Sequence, residues 1–150
     1  MVIAKDIMSS EVVTVAPDLP VEDLARLLWK NKIGGAPVLE HGKILGVVTE
    51  SDLIDQAKYV HIPTVVSILD SFLFLENPQS LDQEIKKMAG RQVNDIFSRE
   101  VILVEPDATI GEMATIMSEK KVHTLPVVED GKLIGVVGKG DLIRAMSNGL

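Results

Sequence analysis

The amino-acid sequence predicts a mixed α/β (α+β) fold: two β-α-β-β-α repeats packed about a pseudo-two-fold axis. Three observations predict it. The chain repeats itself at a spacing of 89 residues, each copy carries the signal of a two-residue hairpin, and helical patterns flank each hairpin.

The repeat needs no gap. Val15-Ala16-Pro17-Asp18 falls on Val104-Glu105-Pro106-Asp107, and Gly46-Val47-Val48 on Gly135-Val136-Val137. Asp52-Leu53-Ile54 falls on Asp141-Leu142-Ile143, and upstream Asp6-Ile7 covers Asp95-Ile96. Roughly two in five positions are identical over the matched stretch, and many others exchange one apolar residue for another. An open solenoid needs three or more units to cover its faces. Two copies are therefore expected to close on each other, each burying its apolar sheet face against its twin.

Within a copy, Val12-Val13-Thr14-Val15 is short, apolar and β-branched, and Pro17 ends it, which predicts a strand. Val21, Leu24, Ala25 and Leu28 then recur at helical spacing, as do Ile110, Met113, Ala114 and Met117. Pro20 suits a first helical turn, with Glu22 and Asp23 near the positive end of the helix dipole. The methionine stripe of the second copy reads as core filling. Pro37 to Glu40, the pair His41-Gly42 and Lys43 to Val48 read as a hairpin; Asp130-Gly131 takes the turn in the second copy and favours type I′. Helices are expected to begin near Asp52-Leu53 and Asp141-Leu142, and a short helical segment precedes each unit. The expected division is repeat one over 1–57, a connector with an amphipathic helix over 58–90, and repeat two over 91–150. In the connector, Leu81, Ile85 and Met88 share a stripe. It packs on the two units or offers a contact surface to a partner.

Composition narrows the function. The 150 residues hold no cysteine, so a disulfide scaffold and thiol chemistry are excluded. A net charge of −7 argues against broad nucleic-acid binding, which needs a basic surface. No run approaches the roughly 18 apolar residues of a membrane span. Residues 1–10 include Lys5 and Asp6 and resemble no signal peptide, so a cytoplasmic protein is expected. Three isolated histidines lack metal-ligand spacing, and neither a G-x-S-x-G nor a Walker motif occurs. Neither catalysis nor a required cofactor is expected.

The strand-to-helix corner is the place for ligand chemistry, because helix N-termini present unpaired N–H groups. Copy one reads Gly46-Val47-Val48-Thr49-Glu50-Ser51-Asp52; copy two places Gly138 at the Thr position and keeps Asp141. Gly138 and Gly140 would let a ligand approach the backbone, and Lys139 or Arg144 would suit phosphate. Thr49-x-x-Asp52 is equally a capping box, and both readings stay open.

These corners, a Gly, two apolar residues, Thr or Ser, two variable residues and Asp, resemble those of the CBS-domain pair, or Bateman module. The resemblance covers nearly the whole chain outside the connector. It implies a regulatory module, not an enzyme, holding an adenine nucleotide such as AMP, ADP or ATP between the copies. The Thr hydroxyl and helix start would hold phosphate, and the Asp carboxylate the ribose hydroxyls. S-adenosylmethionine, NAD or a cyclic dinucleotide would use the same ribose clamp, and a ligand-free structural or oligomerisation module is the alternative. Carried over, pocket one joins Thr49 and Asp52 to Ile102, Val122, His123, Thr124, Leu125 and Pro126. Pocket two joins Asp141 and Gly138 to Val13, Ile33, Gly34, Gly35, Ala36 and Pro37, with Lys139 between the glycines facing phosphate. Pocket one, richer in hydrogen-bonding groups, is expected to be the tighter. The resemblance further implies a homodimer and a target protein that the sequence does not name. His123 is open between ligand contact and a structural role.

Overall fold

A computed structural model describes residues 1–57 and 91–149. The expected connector, 58–90, lies outside the described residues. In chain order the elements are α1 (Ala4–Ile7), α2 (Val21–Asn31), β1 (Gly35–Glu40), β2 (Lys43–Thr49) and α3, described over 50–57. Repeat two gives α4 (Val93–Ile96), α5 (Ile110–Lys120), β3 (Thr124–Glu129), β4 (Lys132–Gly138) and α6 (Lys139–Ser147). The final helices start two residues before the expected Asp, at residues 50 and 139.

Each hairpin is antiparallel and closes through a type I′ turn. His41 and Gly42 have φ of 52° and 77°, and Asp130 and Gly131 have 51° and 77°. Both central residues of this turn need positive φ, which matches the twist of the flanking strands. Register slips once per hairpin: Val38 faces Gly46 and Leu39 faces Ile44, as Val127 faces Gly135 and Val128 faces Leu133. One extra residue per bulge, Leu45 or Ile134, bends the strand.

The expected first strand shrinks to one residue. Val15 bridges Val38 in parallel, its N–H donating to the Pro37 carbonyl at 3.0 Å and its own carbonyl accepting from Leu39 at 2.9 Å. Val104 does the same against Val127. Pro17 and Pro106 follow within two residues and can donate nothing to a longer ladder.

The expectation that each apolar sheet face is buried against its twin is corrected: each repeat buries that face in a core of its own. Val15, Leu24, Leu28, Val38 and Val48 form the first; Met113, Met117, Leu125, Val127 and Val137 the second. Leu24 and Met113 are fully buried, each worth about 1.5–3 kcal/mol in transfer terms. The methionines are core filling, as their spacing predicts.

What joins the repeats is an exchange of their leading segments. Ala4 of α1 is buried in the core of repeat two, and Val93 and Phe97 in that of repeat one. The Ala4 N–H donates to the Ala108 carbonyl at 2.8 Å, and the Val93 N–H to Leu19 at 2.9 Å. Asp6 and Asp95 accept the Ile3 and Gln92 N–H groups, starting each short helix. Beyond them Ser9 pairs with Val136 and Ser98 with Val47. Gly46 and Gly135 permit these crossings. A Cβ at Gly46 would collide with the Ser98 carbonyl oxygen and stand 2.9 Å from the Phe97 ring; one at Gly135 would meet Met8.

Candidate functional site

The exchange leaves a cleft of 730 Å³ between the repeats, lined by both strand-to-helix corners and by the segment ahead of each hairpin. The size falls within the range of about 300–1,000 Å³ usual for small-molecule sites. Instead of two separate pockets, the two expected residue sets face one continuous space. Thr49, Asp52, Ile102, Val122, His123 and Thr124 line it from the first set. Val13, Ile33, Gly34, Gly35 and Pro37 line it from the second, with Gly138, Lys139 and Asp141. Three expected residues do not reach it: Ala36 and Leu125 are fully buried in the two cores, and Pro126 is packed equally deep. Alternation accounts for Ala36 and Leu125, whose side chains point into the cores while their neighbours Gly35 and Thr124 face the cleft.

Backbone hydrogen bonds set the walls. Gly35 pairs with Thr49 and Thr124 with Gly138, placing each corner beside its own pre-strand segment. The Glu50 N–H donates to the Gly34 carbonyl and the Lys139 N–H to that of His123, both at 2.9 Å. The two halves meet at Gly35, where a Cβ would stand 2.7 Å from the Thr124 hydroxyl. Thr124 is itself buried, and Gly35 is the residue that lets the strands approach this closely.

Asp52 forms the complete capping box. Its Oδ2 accepts the Thr49 N–H at 2.9 Å and the Thr49 hydroxyl at 3.2 Å, while that hydroxyl accepts the Asp52 N–H at 3.3 Å. Among the described residues its Oδ1 takes no hydrogen bond, and a carboxylate has lone pairs to spare. Burial raises the Asp52 pKa above the ordinary carboxylate value; the bonds from Thr49 oppose the shift and Asp55 adds to it. Asp141 differs. Its Oδ2 accepts the Gly138 N–H at 2.8 Å and its Oδ1 pairs with Arg144 at 2.7 Å. The loss of the Thr hydroxyl therefore does not leave Asp141 without a capping role. Half of the reciprocal box survives, because the backbone N–H that it needs comes from any residue, glycine included.

Sequence reasoning missed several lining residues: Lys32 and Lys121, Ser9 and Ser98, Glu11 and Glu100. Each pair is identical at equivalent repeat positions, which was the available signal. Lys32 and Lys121 end α2 and α5 in the left-handed conformation, with φ of 53° and 54°, a place more usual for glycine. Among the described residues no cluster of metal-ligating side chains occurs, and no helix is long and apolar enough to cross a membrane.

A family model described as the CBS domain matches twice, over residues 4–59 and 93–148. The chain belongs to the CBS-domain family. This CBS pair is 38% identical to protein MJ1426 of Methanocaldococcus jannaschii over 156 residues, covering 97% of this chain and 92% of that protein. Among solved structures, the CBS-domain containing protein ATU1752 from Agrobacterium tumefaciens superposes with a TM-score of 0.74 at 25% identity. That match covers 97% of this chain and 99% of that one. The structure of CBSX2 in complex with AMP superposes with a TM-score of 0.71 at 26% identity, over 99% and 98% of the two chains. CBSX2 is a chloroplastic protein of Arabidopsis thaliana. The pseudo-symmetric pair of β-α-β-β-α repeats is thus the CBS-pair fold.

Proposed function

We propose that this CBS pair is a regulatory sensing module that binds an adenine nucleotide, AMP, ADP or ATP, in the cleft between its repeats. One observation carries the reading: a single cleft collects both acidic corners and both pre-strand segments. A carboxylate accepts only, and a ribose diol offers two donors, so the acidic corners at Asp52 and Asp141 suit the sugar. Apolar Val13, Ile33, Ile102 and Val122 offer faces for a base. The AMP complex of the similar CBSX2 supports the choice of nucleotide. A homodimer belongs to the proposal, supported by Ile54 and Ile143, which occupy equivalent repeat positions and are 67% and 58% exposed. A signal then requires that ligand favour one arrangement of the assembly over another, with a target protein reading the difference.

The second reading is a ligand-free structural module, favoured by the observation that both Asp residues already cap helices. Thermal unfolding with and without adenosine, AMP, ADP and ATP separates the two. At 100 times the dissociation constant, binding to the folded form stabilises by about 2.7 kcal/mol. No shift with any of the four overturns the sensing reading, and nucleotide turnover detected by chromatography overturns the non-catalytic one.

Acidification adds an independent arm. Because folding raises the Asp52 pKa, its contribution to the bare chain is fully present below the unfolded value and lost as pH rises through the folded one. Ribose binding needs the ionised form and has the opposite sign. Lowering the pH from 7 through the Asp52 titration should strengthen the bare fold slightly and weaken adenosine binding at the first corner. D52N should show neither trend; a pH-independent affinity in the unaltered chain contradicts the clamp.

A further inference from the structure

The two corners of the cleft occupy equivalent repeat positions but carry opposite charge. At the first corner the side chains are Glu50, Asp52 and, one helical turn on, Asp55. At the second, Lys139 stands where Glu50 does and Arg144 where Asp55 does, and Asp141 is held by Arg144 at 2.7 Å. Each corner is tied by the same backbone bond to its pre-strand segment, Glu50 to Gly34 and Lys139 to His123, so the difference lies in the side chains. The Glu50 carboxylate lies against Gly34, its Oε1 3.0 Å from where a Cβ would be. The glycines of the second corner leave room as well: a Cβ at Gly140 would meet nothing within 4 Å.

Resting on the proposed function, we infer that Glu50 and Lys139 sort ligands by charge: the second corner takes an adenosine bearing a 5′-phosphate, and the first takes an adenosine whose 5′ end carries no negative charge. At the second corner a phosphate meets Lys139 and the Arg144 donors left over from Asp141, since a guanidinium has five. The Gly138 and Gly140 backbone lets it come close. At the first corner the same phosphate would face the Glu50 and Asp52 carboxylates, with Asp55 behind them and no cation at the corner itself, and like charges brought together oppose binding. A neutral nucleoside meets no such barrier there, and the Asp52 Oδ1 remains open to its ribose. The cleft is therefore built for two different occupants.

Calorimetric titration of the full chain with AMP and with adenosine tests this. Adenosine should fill two equivalents per chain and AMP one, with AMP the tighter ligand at its single seat. K139E should weaken AMP at least about tenfold more than it weakens adenosine, with K139Q between the two. E50K should raise the AMP count from one to two. Both side chains are exposed, and unchanged melting of the bare variants confirms that the fold is intact. AMP filling two equal seats in the unaltered chain, or AMP affinity indifferent to both charge reversals, overturns the inference alone and leaves the nucleotide site standing. Neither ligand binding would instead overturn the proposed function, and the charge sorting with it.

Discussion

Replacing Asp52 with Ala is expected to abolish the ligand-induced rise in melting temperature at the first corner, while lowering the bare chain's stability by only about 1 kcal/mol. The small part follows from its capping bonds: the Thr49 N–H and hydroxyl lose their shared acceptor, a change of typical cap size. The large part follows from the ribose. Two sugar hydroxyls would lose an ionised acceptor inside a cleft, and hydrogen bonds to charged groups contribute about 1.5–3 kcal/mol each. The comparison with D141A is informative because Asp141 also holds Arg144 at 2.7 Å. Removing Asp141 frees a cation at its corner, so phosphate affinity there should fall less than adenosine affinity. Titration of D52A and D141A with adenosine, alongside urea unfolding of each bare variant, separates cap from clamp. Full retention of adenosine binding by D52A would leave Asp52 as a helix cap and nothing more.

The second large effect concerns how the halves are held together. Gly46→Ala should destabilise the chain by about 3 kcal/mol, the upper end for forcing extra volume into a packed site. The added methyl would run into the Ser98 carbonyl oxygen, which is backbone and pinned by its pairing with Val47. Gly135→Ala should cost less. Its nearest obstacle is the Met8 side chain, which can swing aside, although the Ser9 carbonyl at 3.0 Å limits the relief. Chemical denaturation of both variants measures the difference. Equal, small losses would contradict the exchange of leading segments.

Much of the fold was legible because the chain states it twice. The His41-Gly42 and Asp130-Gly131 turns specify the hairpins through local backbone preference alone, and the 89-residue register shows which positions correspond. The Val12–Val15 strand misled, because β propensity does not say how many partners a segment finds, and here one residue bridges the sheet. The exchange of α1 and α4 was illegible. Asp6 and Asp95 announce helix starts, but nothing local says which core will receive Ala4 or Val93.

Within the site, 14 of the 17 expected residues line the cleft. Ala36, Leu125 and Pro126 lie outside the lining because a family motif marks a whole segment, while the side chains of Ala36 and Leu125 turn into the cores. The lysines at 32 and 121 escaped notice because a helix end in the left-handed conformation is usually read from glycine or asparagine, not lysine.

A crystal structure of the chain grown with saturating adenosine addresses the central claim directly. It should show the nucleoside between the repeats, with its ribose hydroxyls within hydrogen-bonding distance of Asp52 and its base among Val13, Ile33, Ile102 and Val122 or their neighbours. Nucleoside density only on an outer surface, or a cleft holding nothing but water at that concentration, would contradict it.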